Sequence, residues 1–127
     1  MRKKIPKTRN NGTMTESAFW SFIRSALRRR TIVWKPISKA RENARRKYTG
    51  NNPRRKWEYE CNGCKKCFAA KEITVDHIIP AGKLRSSKDL PGFIERLFCE
   101  VDGFQVLCKE CHDIKTKADK IKIKQND

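Results

Sequence analysis

The chain has 127 residues, 37% hydrophobic and 35% charged, with a formal net charge of +17 and a mean hydropathy of −0.83. That length gives one modest domain with a thin core, a size that usually needs a staple such as a bound metal. The charge excess favours polyanions, nucleic acid first, as partners. No stretch approaches the ~18 apolar residues of a bilayer span, and the start Met1-Arg2-Lys3-Lys4 leads into no apolar signal core; a soluble, cytoplasmic protein with no membrane partner is expected.

The charge is uneven. Residues 1–60 hold 18 Lys+Arg against 4 Asp+Glu, whereas residues 61–127 hold 13 against 10. This predicts a basic, mostly helical N-terminal extension over residues 1–56, the docking surface, followed by a near-neutral domain at 57–123. Residues 1–12 end in Asn10-Asn11-Gly12 and read as a mobile arm. Thr13 and Glu16 have capping-box spacing, and Phe19, Ile23 and Leu27 recur every four residues with Trp20 beside them. A helix from Thr15 to Arg30 follows, with Arg24, Arg28, Arg29 and Arg30 on its outer face.

Pro36 suits the first turn of a second helix, along which Ile37, Ala40, Ala44 and Tyr48 recur at helical spacing. Arg41, Arg45, Arg46 and Lys47 cluster around its other side, Arg45 and Arg46 being candidate phosphate contacts. Gly50-Asn51-Asn52-Pro53 ends the helix. Trp57 follows Arg54-Arg55-Lys56 and offers a ring for stacking on a nucleotide, but it reads first as a core anchor for what comes next. Trp57-Glu58-Tyr59 and Ile73-Thr74-Val75 have strand character and, with the cysteine turn between them, suggest a hairpin. Pro80-Ala81-Gly82 breaks the second strand. A short helix from Asp89 or Leu90 to Phe98 turns Phe93, Leu97 and Phe98 inward, Gln105-Val106-Leu107 forms a brief strand, and a closing helix spans Lys109 to Ile123 with Ile114, Ala118 and Ile121 on one face.

Cys61-Asn62-Gly63-Cys64 and Cys108-Lys109-Glu110-Cys111 supply four thiolates from two C-x-x-C pairs, separated by 43 residues. Four sulfurs suit a closed tetrahedral structural zinc, with bonds of roughly 2.3 Å, and would tie two distant segments together. Cys64-Lys65-Lys66-Cys67 is also a C-x-x-C pair, which leaves the ligand set ambiguous; Cys67 and Cys99 otherwise read as small buried residues. The only two histidines, His77 and His112, each adjoin a motif. A neutral imidazole such as His77 can take a proton from water near neutral pH. Asp76 and His112 would leave coordination positions open on a divalent cation for water and phosphate oxygens. On a regular strand Asp76 and His77 point to opposite sides, so both serve one site only where the strand end bends. The bland alternative has His77 capping the strand and His112 bracing the zinc site.

Taken in order over residues 57–118, Cys61-x-x-Cys64, Val75-Asp76-His77-Ile78-Ile79-Pro80 and Gln105-Val106-Leu107-Cys108-x-x-Cys111-His112-x-x-Lys115-Thr116 resemble the zinc-containing HNH endonucleases, in particular small phage-type members. The basic N-terminal region resembles their helical extension. The resemblance implies an α+β fold with a ββα-metal, treble-clef-like core in which a hairpin and a helix grip a catalytic ion. It implies His77 as general base, Asp76 and His112 as ligands of a catalytic divalent cation (Mg2+, Mn2+ or another transition metal), and Lys115 as a phosphate contact. The expected activity is DNA cleavage or nicking to a 5′-phosphate and a 3′-hydroxyl. The phage likeness further implies genome packaging in a host cytoplasm, with the terminase large subunit or portal protein as partners, by analogy alone. Gly103 stands where the family has a bracing Asn, which bears on loop rigidity and cleavage rate more than on reaction type; Asp102 and Gln105 are candidates to replace it. Two alternatives are a non-catalytic zinc-stabilised DNA-binding module and a homing or restriction-type HNH nuclease.

Overall fold

The computed structural model describes the backbone of residues 3–126 and the side chains of residues 3–122. Of the segment 1–12 expected to be a mobile arm, residues 1–2 lie outside the described ones, and the rest leads into a hairpin in which β1 (Lys7–Arg9) pairs antiparallel with β2 (Met14–Thr15). Asn10, Asn11 and Gly12 make its turn at φ of 52°, 53° and 75°. Glycine adopts this left-handed region freely, and asparagine tolerates it better than other side chains.

Helix α1 (Glu16–Arg30) follows directly. Its cap is Thr15, whose hydroxyl accepts the Ala18 N–H at 3.1 Å, and not the predicted Thr13 of a capping box. Glu16 is drawn elsewhere: its carboxylate accepts two 2.9 Å hydrogen bonds from the Arg9 guanidinium and one of 3.0 Å from the Trp20 indole. The apolar stripe behaves as its spacing predicts. Trp20 is buried with Ala81, Leu84, Phe93 and Leu97, and Phe19, Ile23 and Leu27 pack around them. Phe93 and Leu97 come from α3 (Leu90–Leu97), so this core joins the N-terminal segment to the C-terminal half.

Helix α2 (Lys35–Asn43), with Pro36 in its first turn, stops earlier than its periodicity suggests. Arg45–Lys47 forms β3, not a further helical turn, and pairs with β4 (Trp57–Glu60) in the register Arg45↔Tyr59, Arg46↔Glu58, Lys47↔Trp57. The turn-forming stretch at 50–53 folds the chain back, so strand pairing with β4 overrides a helical preference that beyond Asn43 rests on Ala44 and Tyr48 alone. The expected boundary at 56/57 therefore falls in the connection of a β-hairpin. Trp57 is 46% exposed and anchors no core.

Strand β4 also pairs with β5 (Cys67–Phe68), enclosing the first cysteine turn. The predicted hairpin between 57–59 and 73–75 does not form. Strand β6 (Ile73–His77) pairs instead with β7 (Phe104–Cys108), with Asp76 opposite Gln105 and His77 opposite Phe104. Phe104, Val106, Leu107 and Cys108 of β7 are buried; such a strand needs a partner for its backbone groups, and β6 supplies it. Helix α4 (Lys109–Asn126) leaves the end of β7. The result is a mixed α+β chain with a strand–strand–helix unit, β6–β7–α4. A second small core of Cys61, Leu107 and Cys108, flanked by Phe68 and Cys111, lies under the cysteine turn. No helix among the described residues is long and apolar enough to cross a membrane.

Candidate functional site

The first cysteine turn is shaped by close backbone contacts. Cys61 N–H bonds to the Lys66 carbonyl at 2.8 Å, Lys65 N–H returns to the Cys61 carbonyl at 2.9 Å, and Asn62 N–H reaches Val106 of β7 at 2.8 Å. Lys65 takes the left-handed conformation, φ 63°, that closes the turn. A Cβ on Gly63 would lie 2.9 Å from the Cys111 sulfur; only glycine lets the turn approach the start of α4 this closely.

That approach brings the sulfurs of Cys61, Cys64, Cys108 and Cys111 within 4.8 Å of one another. A tetrahedral ion with ~2.3 Å bonds holds its sulfurs roughly 3.8 Å apart, so the cluster fits such an ion with little adjustment. The protonation balance points the same way. Burial alone would raise the Cys61 thiol, yet the N–H groups of Cys64, Cys108 and Gly63 outweigh it and hold the group down at about 6. Cys111 is pushed up to about 12, first by hydrogen bonding with Cys108, then by burial and the sulfurs of Cys61 and Cys64. Four crowded sulfurs cannot all ionise unaided, and a cation removes that conflict. Cys67 is on β5, exposed and outside this group, where burial and the carboxylates of Glu58 and Glu60 raise its thiol. This resolves the ambiguity in favour of Cys61, Cys64, Cys108 and Cys111, and corrects the expectation that Cys67 is buried. Among the described residues no other cluster of three or more such ligands forms.

One turn of α4 beyond Cys108, His112 faces the end of β6. Its Nε2 lies 3.9 Å from Asp76 Oδ1, while Lys115 Nζ is 3.2 Å from Asp76 Oδ2. Lys115 also pairs with Asp119, one helical turn on. Burial works against the Lys115 ammonium, but the Asp119 and Asp76 carboxylates prevail and raise its pKa above the ordinary value. Asp119 is a site residue not anticipated from the sequence, although its i,i+4 spacing from Lys115 was visible there. Asp76 and His112 offer one oxygen and one nitrogen at a separation that a divalent cation with ~2.0–2.2 Å bonds could bridge after a small closure.

His77 is not in hydrogen-bond contact with this trio. Its ring packs on Phe104 across the strand pair, 4.7 Å between centroids, and its Nε2 is 2.8 Å from the Leu97 carbonyl. Since a carbonyl only accepts, that bond places a proton on Nε2, so in the neutral ring Nδ1 is the acceptor. The segment that leaves α3 just beyond Leu97 is held in turn by Trp34, whose indole donates to the Cys99 carbonyl at 2.7 Å.

Gly103 braces the same strand end with its backbone. Ile78 N–H, next to His77, donates to the Gly103 carbonyl at 2.9 Å. Gln105 does not assume the bracing role, because its side-chain oxygen accepts from Asn62 Nδ2 at 2.8 Å and so ties β7 to the cysteine turn. Arg45 and Arg46 sit on β3, away from the predicted helix. The Arg45 guanidinium lies 4.2 Å from the Trp57 ring centroid, and Arg46 pairs with Glu60 at 3.5 Å. No family model, curated protein or solved structure matches the chain.

Proposed function

We propose that the chain is a zinc-stabilised, metal-dependent DNA endonuclease or nickase of HNH type that hydrolyses phosphodiester bonds. The observation that supports it best is the approach of Asp76 and His112, 3.9 Å apart, at the end of the strand that also carries His77. Two neighbouring ligands with open positions between them suit a reaction centre, whereas the four-sulfur group is closed and suits a structural zinc. In this reading His77 keeps its proton on Nε2 against Leu97 and uses Nδ1 to take a proton from the attacking water. A divalent cation held by Asp76 and His112 would supply charge stabilisation for the phosphate and the departing 3′ oxygen. Lys115 keeps positive charge beside Asp76 and can exchange that carboxylate for a phosphate oxygen. The +17 charge draws in the polyanion. The phage resemblance extends the proposal to genome packaging beside a terminase large subunit or portal protein.

A second reading, a non-catalytic zinc-stabilised DNA-binding module, has one observation in its favour. Lys115 already neutralises Asp76 at 3.2 Å, so Asp76, Lys115 and Asp119 also make sense as an ion-pair network. Cation dependence separates the two. Zinc-loaded protein should nick supercoiled plasmid only when magnesium or manganese is added, and Asp76→Ala and His112→Ala should each abolish the response. DNA binding without cleavage under any cation would favour the binding module.

A further inference from the structure

The face of the β3–β4–β5 sheet that carries Trp57 has no role in the chemistry above. Residues directly opposite in an antiparallel pair share a face, so the register Arg45↔Tyr59 and Lys47↔Trp57 sets two cations and two aromatic rings side by side. The sheet's two carboxylates, Glu58 and Glu60, fall on the other face with Arg46. The Trp57 face is therefore basic and aromatic with no acid among its strand residues. At one end it closes where Phe68, opposite Tyr59, packs into the core beneath the cysteine turn. At the other end it opens. Trp57 is 46% exposed even with the Arg45 guanidinium 4.2 Å above its ring.

Neighbouring cations extend this pattern. Arg41 of α2 lies over Tyr59 at 5.2 Å, and Arg55 over Tyr48 at 4.5 Å. Arg41 also lines an open groove of about 690 Å³ with Arg28, Arg29 and residues Ile73, Thr74 and Val75 of β6. The basic track thus runs from Trp57 through Arg41 to the strand that ends in Asp76 and His77. A solvated charged face needs no exposed indole, and a surface for duplex backbone needs cations alone. An exposed indole set among arginines, with the half-buried rings of Tyr59 and Tyr48 beside it, matches a strand whose bases are unpaired, because only an unpaired base offers its π face for stacking.

We propose that the Trp57 face is a stacking platform for single-stranded DNA, with Trp57 meeting a base while Arg45, Lys47 and Arg41 take the phosphates. The inference rests on the reading above for its choice of partner, and not on the cleavage chemistry.

Intrinsic tryptophan fluorescence tests it, since Trp20 is buried and Trp34 partly buried, leaving Trp57 as the exposed indole. Zinc-loaded protein is titrated with a thymidine oligonucleotide and with a duplex of equal length, at fixed salt and without added divalent cation. The oligonucleotide should quench the signal and bind more tightly than the duplex. Trp57→Leu should remove the quench and weaken single-strand binding about tenfold, with duplex binding nearly unchanged. Trp57→Phe should retain most of the single-strand affinity. Zinc content and melting temperature measured on the same variants separate a lost contact from a lost fold. Equal affinity for both nucleic acids, unaltered in Trp57→Leu, would overturn the platform while leaving cation-dependent cleavage intact. Failure to bind either nucleic acid would overturn both proposals.

Discussion

A Cβ at position 103 would stand 2.5 Å from the Cys99 sulfur and 3.0 Å from its Cβ, so the fold leaves no room there for the Asn that the resemblance leads one to expect. The end of β6 is held there by backbone alone, the Ile78 N–H donating to the Gly103 carbonyl. Gly103→Asn should destabilise the chain by about 1–3 kcal/mol through overpacking. Combining it with Cys99→Ala should recover part of that loss, a coupling that a double-mutant cycle in thermal denaturation measures directly. Strict additivity of the two changes would show that the sulfur is not what excludes the side chain. At this scale the sequence was informative about which side chains meet: the four cysteines, and Asp76 with His112, could be paired before their geometry was known. It was uninformative about Cys99 and Leu97, because a carbonyl that fixes a tautomer and a sulfur that fills a glycine's space have no motif.

Among the elements, the β1–β2 hairpin is tied to α1 through Glu16. The Arg9 guanidinium first, and the Trp20 indole N–H second, hold its carboxyl down at about 2, against an ordinary value of 4.5 and against the upward push of burial. A carboxyl whose folded pKa lies below its unfolded one contributes its full stabilisation above the unfolded value. That contribution shrinks as pH falls below about 4.5 and is gone once pH has passed through about 2. The indole N–H resonance of Trp20, followed by NMR, should shift with a midpoint near the lower value, and Glu16→Gln should abolish the transition. A midpoint near 4.5 would mean that the clamp does not hold in solution. Periodicity predicted α1 and α3 well because each buries a stripe of large side chains. It failed for 45–47 and for the partner of β6, where strand pairing between distant segments decides the outcome and no local pattern records it. The exposure of Trp57 went unforeseen for the same reason: its surroundings depend on β3.

Across the whole molecule, one small core packs the apolar stripe of α1 against α3, and a second lies at the cysteine cluster. With so little buried apolar surface, the proposed zinc should supply a large share of the folding free energy. Chelation should release one zinc per chain and melt the cysteine-linked β6–β7–α4 unit, seen as loss of helical circular dichroism, and Cys61→Ser or Cys108→Ser should do the same. A chain that keeps its melting temperature after losing the metal would assign the cluster no structural role. The charge distribution was readable from composition alone, whereas its division into a basic aromatic sheet face and a carboxylate-bearing one required the β3–β4 register.

Comparing wild type with His77→Ala tests the central claim most directly. Both proteins, zinc-loaded and matched for melting temperature, are given supercoiled plasmid with magnesium or manganese, and the rate of nicking is measured. If His77 is the base, with Nδ1 free and Nε2 held by Leu97, the variant should bind the plasmid normally and nick it about 10²–10⁴-fold more slowly. Equal nicking by the two proteins would contradict the account, as would the absence of nicking by wild type under every cation.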